Sequence, residues 1–228
     1  MEDNFRITAE SPISELIEGR TAESISGFVQ EYAELMSYYK CAMMEIETKF
    51  KVLNEEYSLR HDRNPISSIK TRLKSPKSIR DKMEKKGLPL TCREIEANLS
   101  DVAGIRVVCP FIEDVYALAQ ALMKQDDILL VEQKDYIAHP KPNGYRSLHL
   151  IVSVPIFLTH EKKFVKVEVQ LRTIAMNFWA SLEHQLRYKK DFVFTDEMGD
   201  ELLECAMMSA TLDERMDRLR AQVDTEKK

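Results

Sequence analysis

Two carboxylates and a dense set of cations are the residues of this chain best suited to chemistry. Asp101 opens the run Asp-Val-Ala-Gly-Ile-Arg, in which Gly104 permits close backbone approach and Arg106 follows two residues later. Glu168 lies in 164–172, where Val165, Val167, Val169 and Leu171 alternate with Lys166, Glu168, Gln170 and Arg172. The alternation predicts a strand with one apolar face. A merely solvent-facing strand would show the same polar face, and Asp101 is what tips the reading toward a site. If the two strands are neighbours, Asp101 and Glu168 form a carboxylate pair beside Arg72, Lys74 and Arg106. Such a pair among phosphate-seeking cations suits a magnesium–nucleotide complex, because Mg²⁺ takes one or two carboxylates and fills its shell with water and phosphate oxygens. Next to them Ser75-Pro76 reads as a helix start, a capping hydroxyl followed by a proline at the first helical position. Ser78 and Lys82 lie four apart on one face of that helix. A helix N-terminus with a hydroxyl and flanking lysines is a phosphate site.

A second group of residues sits in the run from Asp135 to Ser147, Asp-Tyr-Ile-Ala-His-Pro-Lys-Pro-Asn-Gly-Tyr-Arg-Ser, and the strand-like segment after it. Proline and Asn-Gly mark an ordered turn. The turn carries His139, Lys141, Tyr145 and Arg146, with His149 just beyond. A solvated loop has no need of this set; a phosphorylated base needs a cation for phosphate, a ring to stack on and donors for its edges. No Gly-x-x-x-x-Gly-Lys and no Gly-x-Gly-x-x-Gly is present, which excludes a P-loop and a Rossmann dinucleotide site. The four cysteines are scattered and form no Cys-x-x-Cys pair, so metal or disulfide roles are not expected and a reducing cytoplasm is the natural setting. No apolar run reaches bilayer-spanning length, and the first residues lack the layout of a signal peptide.

These residues need elements to hold them. Apolar residues from Ile25 to Tyr57 recur at helical spacing and predict one long amphipathic helix over 24–57, ended by Asn64-Pro65. Ile69, Thr71 and Leu73 then alternate with Lys70, Arg72 and Lys74. The helix begun at Ser75-Pro76 stops at Gly87, and Thr91 with Glu94 makes a capping box for another. Strands are expected at 102–109, 128–136, 148–158 (broken by Pro155) and 164–172. Helices are expected at 112–124 and from Thr173 through Trp179 to about Lys190. Interleaved strands and helices imply an α+β fold with a mixed β-sheet core. At the end of the chain Leu202, Cys205, Ser209, Leu212, Met216, Leu219 and Val223 make a heptad-like seam, suited to packing on the long first helix or on another subunit. Eleven Lys or Arg and three acids lie between Arg60 and Arg93, whereas 1–57 holds twelve acids and five bases, and 196–228 ten and five. A basic middle between acidic flanks points to a local anion site, not to a protein coated for nucleic acid.

In their order and spacing four segments resemble one known family. Arg72-Leu-Lys74-Ser-Pro-x-Ser78, Asp101-Val-Ala-Gly-Ile-Arg106, Lys141-Pro-Asn-Gly-Tyr145-Arg-Ser-Leu-His149 and Glu168-Val-Gln170-Leu-Arg172-Thr are similar to the synthetase core of the RelA/SpoT family. The continuation Ala175-Met-Asn177-Phe-Trp179-Ala-x-x-Glu183-His184 agrees, and the resemblance runs over roughly 64–190. It implies a nucleotidyltransferase-like sheet flanked by helices, with 1–63 as an N-terminal helical oligomerisation region, 64–195 as the synthetase core and 196–228 as a C-terminal helix. Long members place a metal-dependent hydrolase domain ahead of the synthetase; His61-Asp62 imitates its His-Asp pair but stands alone, and no metal role is expected for it. The chain therefore resembles the small, stand-alone alarmone synthetases, which act as homotetramers built through terminal helices.

The resemblance further implies Mg²⁺-dependent transfer of pyrophosphate from ATP to the ribose 3′-hydroxyl of GDP or GTP. Asp101 and Glu168 match the metal ligands, with Glu168 also placed to accept the hydroxyl proton. Arg72 and Arg106 match the pair that sandwiches adenine, and Lys74, Ser78 and Lys82 match contacts to the ATP phosphates. Tyr145 matches the ring that stacks on guanine, and Tyr145→Phe should cost little if stacking and not the hydroxyl matters; Lys141, Asn143, His149, Gln170 and Asn177 match residues around the acceptor nucleotide. Ser68-Ile-Lys70-Thr departs from the Phe-x-Thr-Gly of tetramers activated by pppGpp, so that control is not expected here. Two alternatives stand beside this reading. One is a toxin that pyrophosphorylates tRNA 3′ ends, which needs a broad basic tract that the acidic flanks do not supply. The other is a catalytically idle nucleotide- or RNA-binding regulator, which retention of both Asp101 and Glu168 disfavours. Single-stranded RNA binding as a secondary property stays open.

Overall fold

The computed structural model describes residues 22–61, 63–187 and 194–226. The elements run α1 (Ala22–His61), β1 (Ser68–Leu73), α2 (Pro76–Lys85), α3 (Cys92–Asn98), β2 (Ala103–Cys109), α4 (Ile112–Met123), β3 (Leu129–Asp135), β4 (Leu148–Phe157), β5 (Lys162–Thr173), α5 (Ile174–Arg187) and α6 (Asp196–Glu226). The strands form one sheet in the order β1-β2-β5-β4-β3. β2 and β5 pair in parallel and the other neighbours pair antiparallel, giving the mixed sheet expected.

One face of the sheet makes the core. Ile105 and Val107 of β2, Leu148, Leu150, Val152 and Val154 of β4, and Val165, Val167, Val169 and Leu171 of β5 are buried on it. The apolar stripe of α1, from Phe28 and Tyr32 through Tyr39 and Ile46 to Phe50, closes over them in the same cluster. Sealing one face in this way leaves the polar alternates of the strands on the other, where a ligand can reach them.

Local signals explain most element ends. Ser75 caps α2, its hydroxyl accepting from Ser78 N, with Pro76 in the first turn. Gly87 ends the same helix at φ 65°, a backbone that favours glycine. Thr91 caps α3 through a bond from Glu94 N, but the expected box is half made: the Glu94 carboxylate accepts from Asn98 Nδ2 at 2.8 Å, and Thr91 N donates to Pro89 O. Pro155 does not break β4, which continues to Phe157 with Pro155 opposite Phe164. Pairing with β3 stops at Ser153, so β4 is an edge on that side and the missing N–H costs no ladder bond. The end of the helix expected near Lys190 and the residue Asp62 lie outside the described residues.

After the sheet, α6 packs chiefly on α5 and not along α1. Trp179 Nε1 donates to Leu202 O at 2.7 Å. Thr173 does two jobs with one hydroxyl: it accepts from Met176 N at 3.1 Å, capping α5, and donates to Asp213 Oδ2 of α6 at 2.7 Å. Burial raises the pKa of the Asp213 carboxyl, and the Thr173 bond partly offsets that. The distal seam residues Leu212, Met216, Leu219 and Val223 stay about half exposed.

Replacing Thr173 by valine removes the cap and leaves a buried carboxylate short of a donor. The expected loss is about 2–4 kcal/mol of unfolding free energy, read from urea melts, with Thr173→Ser restoring most of it.

Candidate active site

The open face of the sheet carries two rows of side chains that cross all five strands. In the first, Lys70 of β1 faces Arg106 of β2, then come Gln170 of β5, His149 of β4 and Lys134 of β3. In the second, Arg72 faces Gly104, then Glu168, Ile151 and Glu132. Directly opposed residues share a face, so the parallel register Gly104↔Glu168 brings together motifs more than sixty residues apart. Asp101 lies just before β2, at the same end of the sheet as Glu168.

Between β1 and β5 these rows floor a cleft of ≈ 400 Å³ lined by Lys70, Arg72, Lys74, Asp101, Gly104, Arg106, Glu168 and Gln170. A Cβ on Gly104 would sit 3.6 Å from Arg72 O, an ordinary contact. Glycine here keeps the cleft floor low; it is not demanded by backbone approach. Lys74 Nζ and Lys82 Nζ both bond Asp101 Oδ2, at 2.8 and 2.7 Å, while Asp101 Oδ1 is buried without a partner. Burial alone would raise the Asp101 pKa; the two ammonium groups more than reverse it and hold the carboxyl below its usual range. Arg106 is burdened by burial and by the nearby Arg172 and Arg72, which lower its pKa, and its Nε has no partner. Ser78 accepts from the Ser75 hydroxyl at 2.9 Å as part of the α2 cap, one turn before Lys82.

A second cleft of ≈ 200 Å³ opens on the other side of Glu168, lined by Glu132, Lys134, Tyr136, Lys141, His149, Ile151 and Glu168. Glu168 borders both clefts. Its Oε1 lies 3.3 Å from His149 Nδ1 and its Oε2 accepts from Gln170 Nε2 at 3.0 Å. Burial pushes the Glu168 pKa up, and these two partners pull it further down, to below the ordinary value. Lys141 Nζ lies over the rings of Tyr136 and Tyr145, at 4.6 and 4.9 Å from their centroids. The turn that carries it depends on Gly144, whose φ is 84° and whose added Cβ would come within 2.4 Å of Ala206 Cβ on α6. Asn143 shapes the same turn by accepting from Tyr145 N at 3.2 Å.

Some side chains differ from expectation. Tyr145 lines neither cleft; it packs edge-on against His149 and Tyr136, and its hydroxyl meets His149 Nε2 at 2.8 Å and Arg172 Nη2 at 2.5 Å. The hydroxyl is therefore engaged as well as the ring. Asn177, on the first turn of α5, has a buried Oδ1 without a partner and lines neither cleft. Sequence reasoning missed Tyr136, Lys134 and Arg172. Tyr136 stood in the same turn run as Tyr145 and was read as a strand end; the other two become visible with the register. Among the described residues no three His, Cys, Asp or Glu side chains gather as a metal cluster. A two-carboxylate site for a cation shared with phosphates needs no such cluster.

Comparison with known proteins converges on one family. A model of the region found in RelA / SpoT proteins matches residues 71–192. GTP pyrophosphokinase YwaC of Bacillus subtilis (strain 168) is 42% identical over 202 residues, which cover 89% of this chain and 96% of that protein. The crystal structure of small alarmone synthetase 1 from B. subtilis bound to its product pppGpp is similar with a TM-score of 0.78 and 36% identity, over 85% of this chain and 98% of that one. The crystal structure of the same synthetase bound to AMPCPP gives a TM-score of 0.72 and 32% identity, over 86% and 98%. With the family region spanning more than half of the sequence and its open sheet face holding the motifs of that region, this chain belongs to the RelA/SpoT family.

Proposed function

We propose that the protein is a (p)ppGpp synthetase that transfers pyrophosphate from ATP to the ribose 3′-hydroxyl of GDP or GTP. The observation that carries this reading is the place of Glu168, one carboxylate on the border of two clefts. The cation-lined cleft suits ATP: Arg72 and Arg106 offer planar guanidinium groups to adenine, and Lys74 in the lining, with Lys82 on Asp101 and Ser78 in the α2 cap beside it, would serve the phosphates. The cleft with Tyr136, Lys141 and His149 suits the guanine nucleotide, with Tyr145, Asn143, Gln170 and Asn177 shaping its surroundings. In the transfer, the 3′-oxygen forms a bond to the β-phosphorus, the bond from that phosphorus to the α–β bridging oxygen breaks, and AMP leaves. Glu168, kept ionised, takes the hydroxyl proton. The lysines around Asp101 neutralise charge on the moving group, and in-line positioning supplies most of the rest.

Asp101 and Glu168 fit a magnesium ion, since Asp101 Oδ1 is a buried oxygen without a partner and both acids flank the same cleft. When bound, the ion would neutralise phosphate charge there. A tRNA-end acceptor is disfavoured by the acidic flanks, and an idle regulator by the presence of both acids. No helix among the described residues is long and apolar enough to cross a membrane, which agrees with a cytoplasmic enzyme. A groove of ≈ 680 Å³ lined by Phe111, Ile174, Phe178, Met208, Leu212 and Met216 supports assembly through α5 and α6, as a homotetramer.

Purified protein given Mg²⁺, β-labelled ATP and GDP, GTP or tRNA should label GDP or GTP, and Glu168→Gln or Asp101→Asn should abolish labelling while thermal melts stay near wild type. Label on tRNA alone, or full turnover in either variant, refutes the reading. Arg72→Ala and Arg106→Ala should each raise KM for ATP about tenfold or more, on the scale of losing one stacking partner, and leave KM for the acceptor close to wild type. A loss confined to the acceptor means that the two clefts are exchanged. Light scattering at micromolar concentration should give a tetramer mass; a fully active monomer overturns the assembly.

A further inference from the structure

The side chains around Glu168 close a ring. On one arm Arg172 Nη2 donates to the Tyr145 hydroxyl at 2.5 Å, that hydroxyl meets His149 Nε2 at 2.8 Å, and His149 Nδ1 lies 3.3 Å from Glu168 Oε1. On the other arm Arg172 Nη2 donates to Gln170 Oε1 at 3.1 Å, and Gln170 Nε2 donates to Glu168 Oε2 at 3.0 Å. A guanidinium can only donate and an ionised carboxylate can only accept. Both arms therefore begin at a donating Arg172 and end on an accepting Glu168, while the direction of the Tyr145–His149 bond follows the imidazole tautomer. The Gln170 amide is fixed by those two ends, its oxygen toward the arginine and its nitrogen toward the acid.

Arg172 is only 4% exposed and lines neither cleft. Among the described residues no carboxylate pairs with it directly. Burying a guanidinium without a counter-ion is costly, so its bonds to Tyr145, Gln170 and Ser147 Oγ have to compensate. The two arms draw on different strands: His149 lies on β4, Gln170 and Glu168 on β5, and the register His149↔Gln170 sets them side by side. Tyr145 enters from the turn, with the Arg172 guanidinium over its ring at 5.0 Å from the centroid.

We propose that Arg172 is a positioning residue for the transfer: acting through Tyr145–His149 on one side and Gln170 on the other, it fixes both oxygens of Glu168 and so the direction in which that carboxylate meets the acceptor hydroxyl. The inference rests on the pyrophosphate-transfer reading above. A purely structural arginine, tying Ser147 to β5, would act on stability and leave turnover alone; a positioning arginine acts on kcat.

The test is steady-state kinetics and thermal melting of Arg172→Lys, Tyr145→Phe and the double variant, with GDP binding measured by calorimetry in the absence of ATP. Lysine keeps the charge but lacks the planar fork that serves two acceptors. In Arg172→Lys, kcat should fall about ten- to a hundredfold, the scale of a small misplacement of a reacting group, with KM for ATP close to wild type and GDP affinity falling less than kcat. Tyr145→Phe should lose less, because the Gln170 arm remains. The double variant should be no slower than Arg172→Lys, since the arginine reaches His149 through the hydroxyl. Additive losses, a loss carried by KM for ATP, or wild-type kcat in a well-folded Arg172→Lys overturns the proposal. If Arg172→Lys does not fold, Tyr145→Phe decides: lower kcat at unchanged KM for ATP supports the arm, and wild-type kcat overturns it. A wild type that transfers nothing to GDP or GTP defeats the functional reading, and this inference with it.

Discussion

The parallel pairing of β2 with β5 is the constraint on which the rest of the site depends. Among the described residues it is the sheet's one parallel contact, and its register sets Gly104 beside Glu168 and Arg106 beside Gln170. A slip of one residue would turn Glu168 into the core and a valine out to the cleft, because side chains alternate with period two. The core itself guards against that slip. Val165, Val167, Val169 and Leu171 fill one face of β5 under α1, so the only register that buries them also presents Glu168 and Gln170. Packing energy thus fixes the position of charged groups that would not choose it for themselves.

The outer strands and helices extend the same logic. β4 pairs along its whole length with β5, which carries His149 to Gln170 and Ile151 to Glu168. The turn before β4 cannot move freely, since Gly144 lies against Ala206 of α6 and Thr173 ties the end of β5 to Asp213 of that helix. The helix offered as an assembly surface is therefore also the backing of the turn that carries Lys141 and Tyr145. A change in how α6 packs reaches the turn with Lys141 and Tyr145 through one methyl-sized contact and one buried hydrogen bond.

How much of this was legible beforehand follows the range of each interaction. Short-range signals could be read directly: the Ser75-Pro76 helix start, the Gly87 stop and the alternation of β5 are all in the fold. The pairing of Asp101 with Glu168 was conditional on two strands being neighbours, which no local pattern fixes. Pro155 misled because whether proline breaks a strand depends on which partner strand is still present, and β3 had ended. Glu94 misled because Asn98, one turn on, competed for its carboxylate. Tyr136, Lys134 and Arg172 stayed hidden for a third reason. Their roles arise from side chains meeting across strands, and Arg172 in particular looked like one more solvent-facing base on an alternating strand, whereas it is buried.

Electrostatics then explains why such a site is built around a substrate and not completed without one. The first cleft gathers Lys70, Arg72, Lys74 and Arg106 against Asp101 and Glu168, an excess of positive charge in a concave space. Both Lys74 and Lys82 converge on a single oxygen of Asp101, leaving the other unpartnered, and Arg106 is disfavoured by two neighbouring guanidinium groups. In water these groups would be solvated; partly buried, they interact more strongly and repel one another at closer effective range. A polyphosphate entering this cleft would offset the cation excess, and a divalent ion accompanying it would give Asp101 Oδ1 the partner it lacks. The cost of holding like charges together is thus built in by the core packing that fixes β2 on β5, and it becomes binding free energy for a ligand of opposite charge. Glu168 sits where that field ends and the aromatic cleft begins, its pKa held down against burial by His149 and Gln170 and not by the lysines. A carboxylate so held stays free of the lysines of the first cleft, and under the proposed reading that independence would let one residue face a polyanion on one side and accept a proton from a hydroxyl on the other.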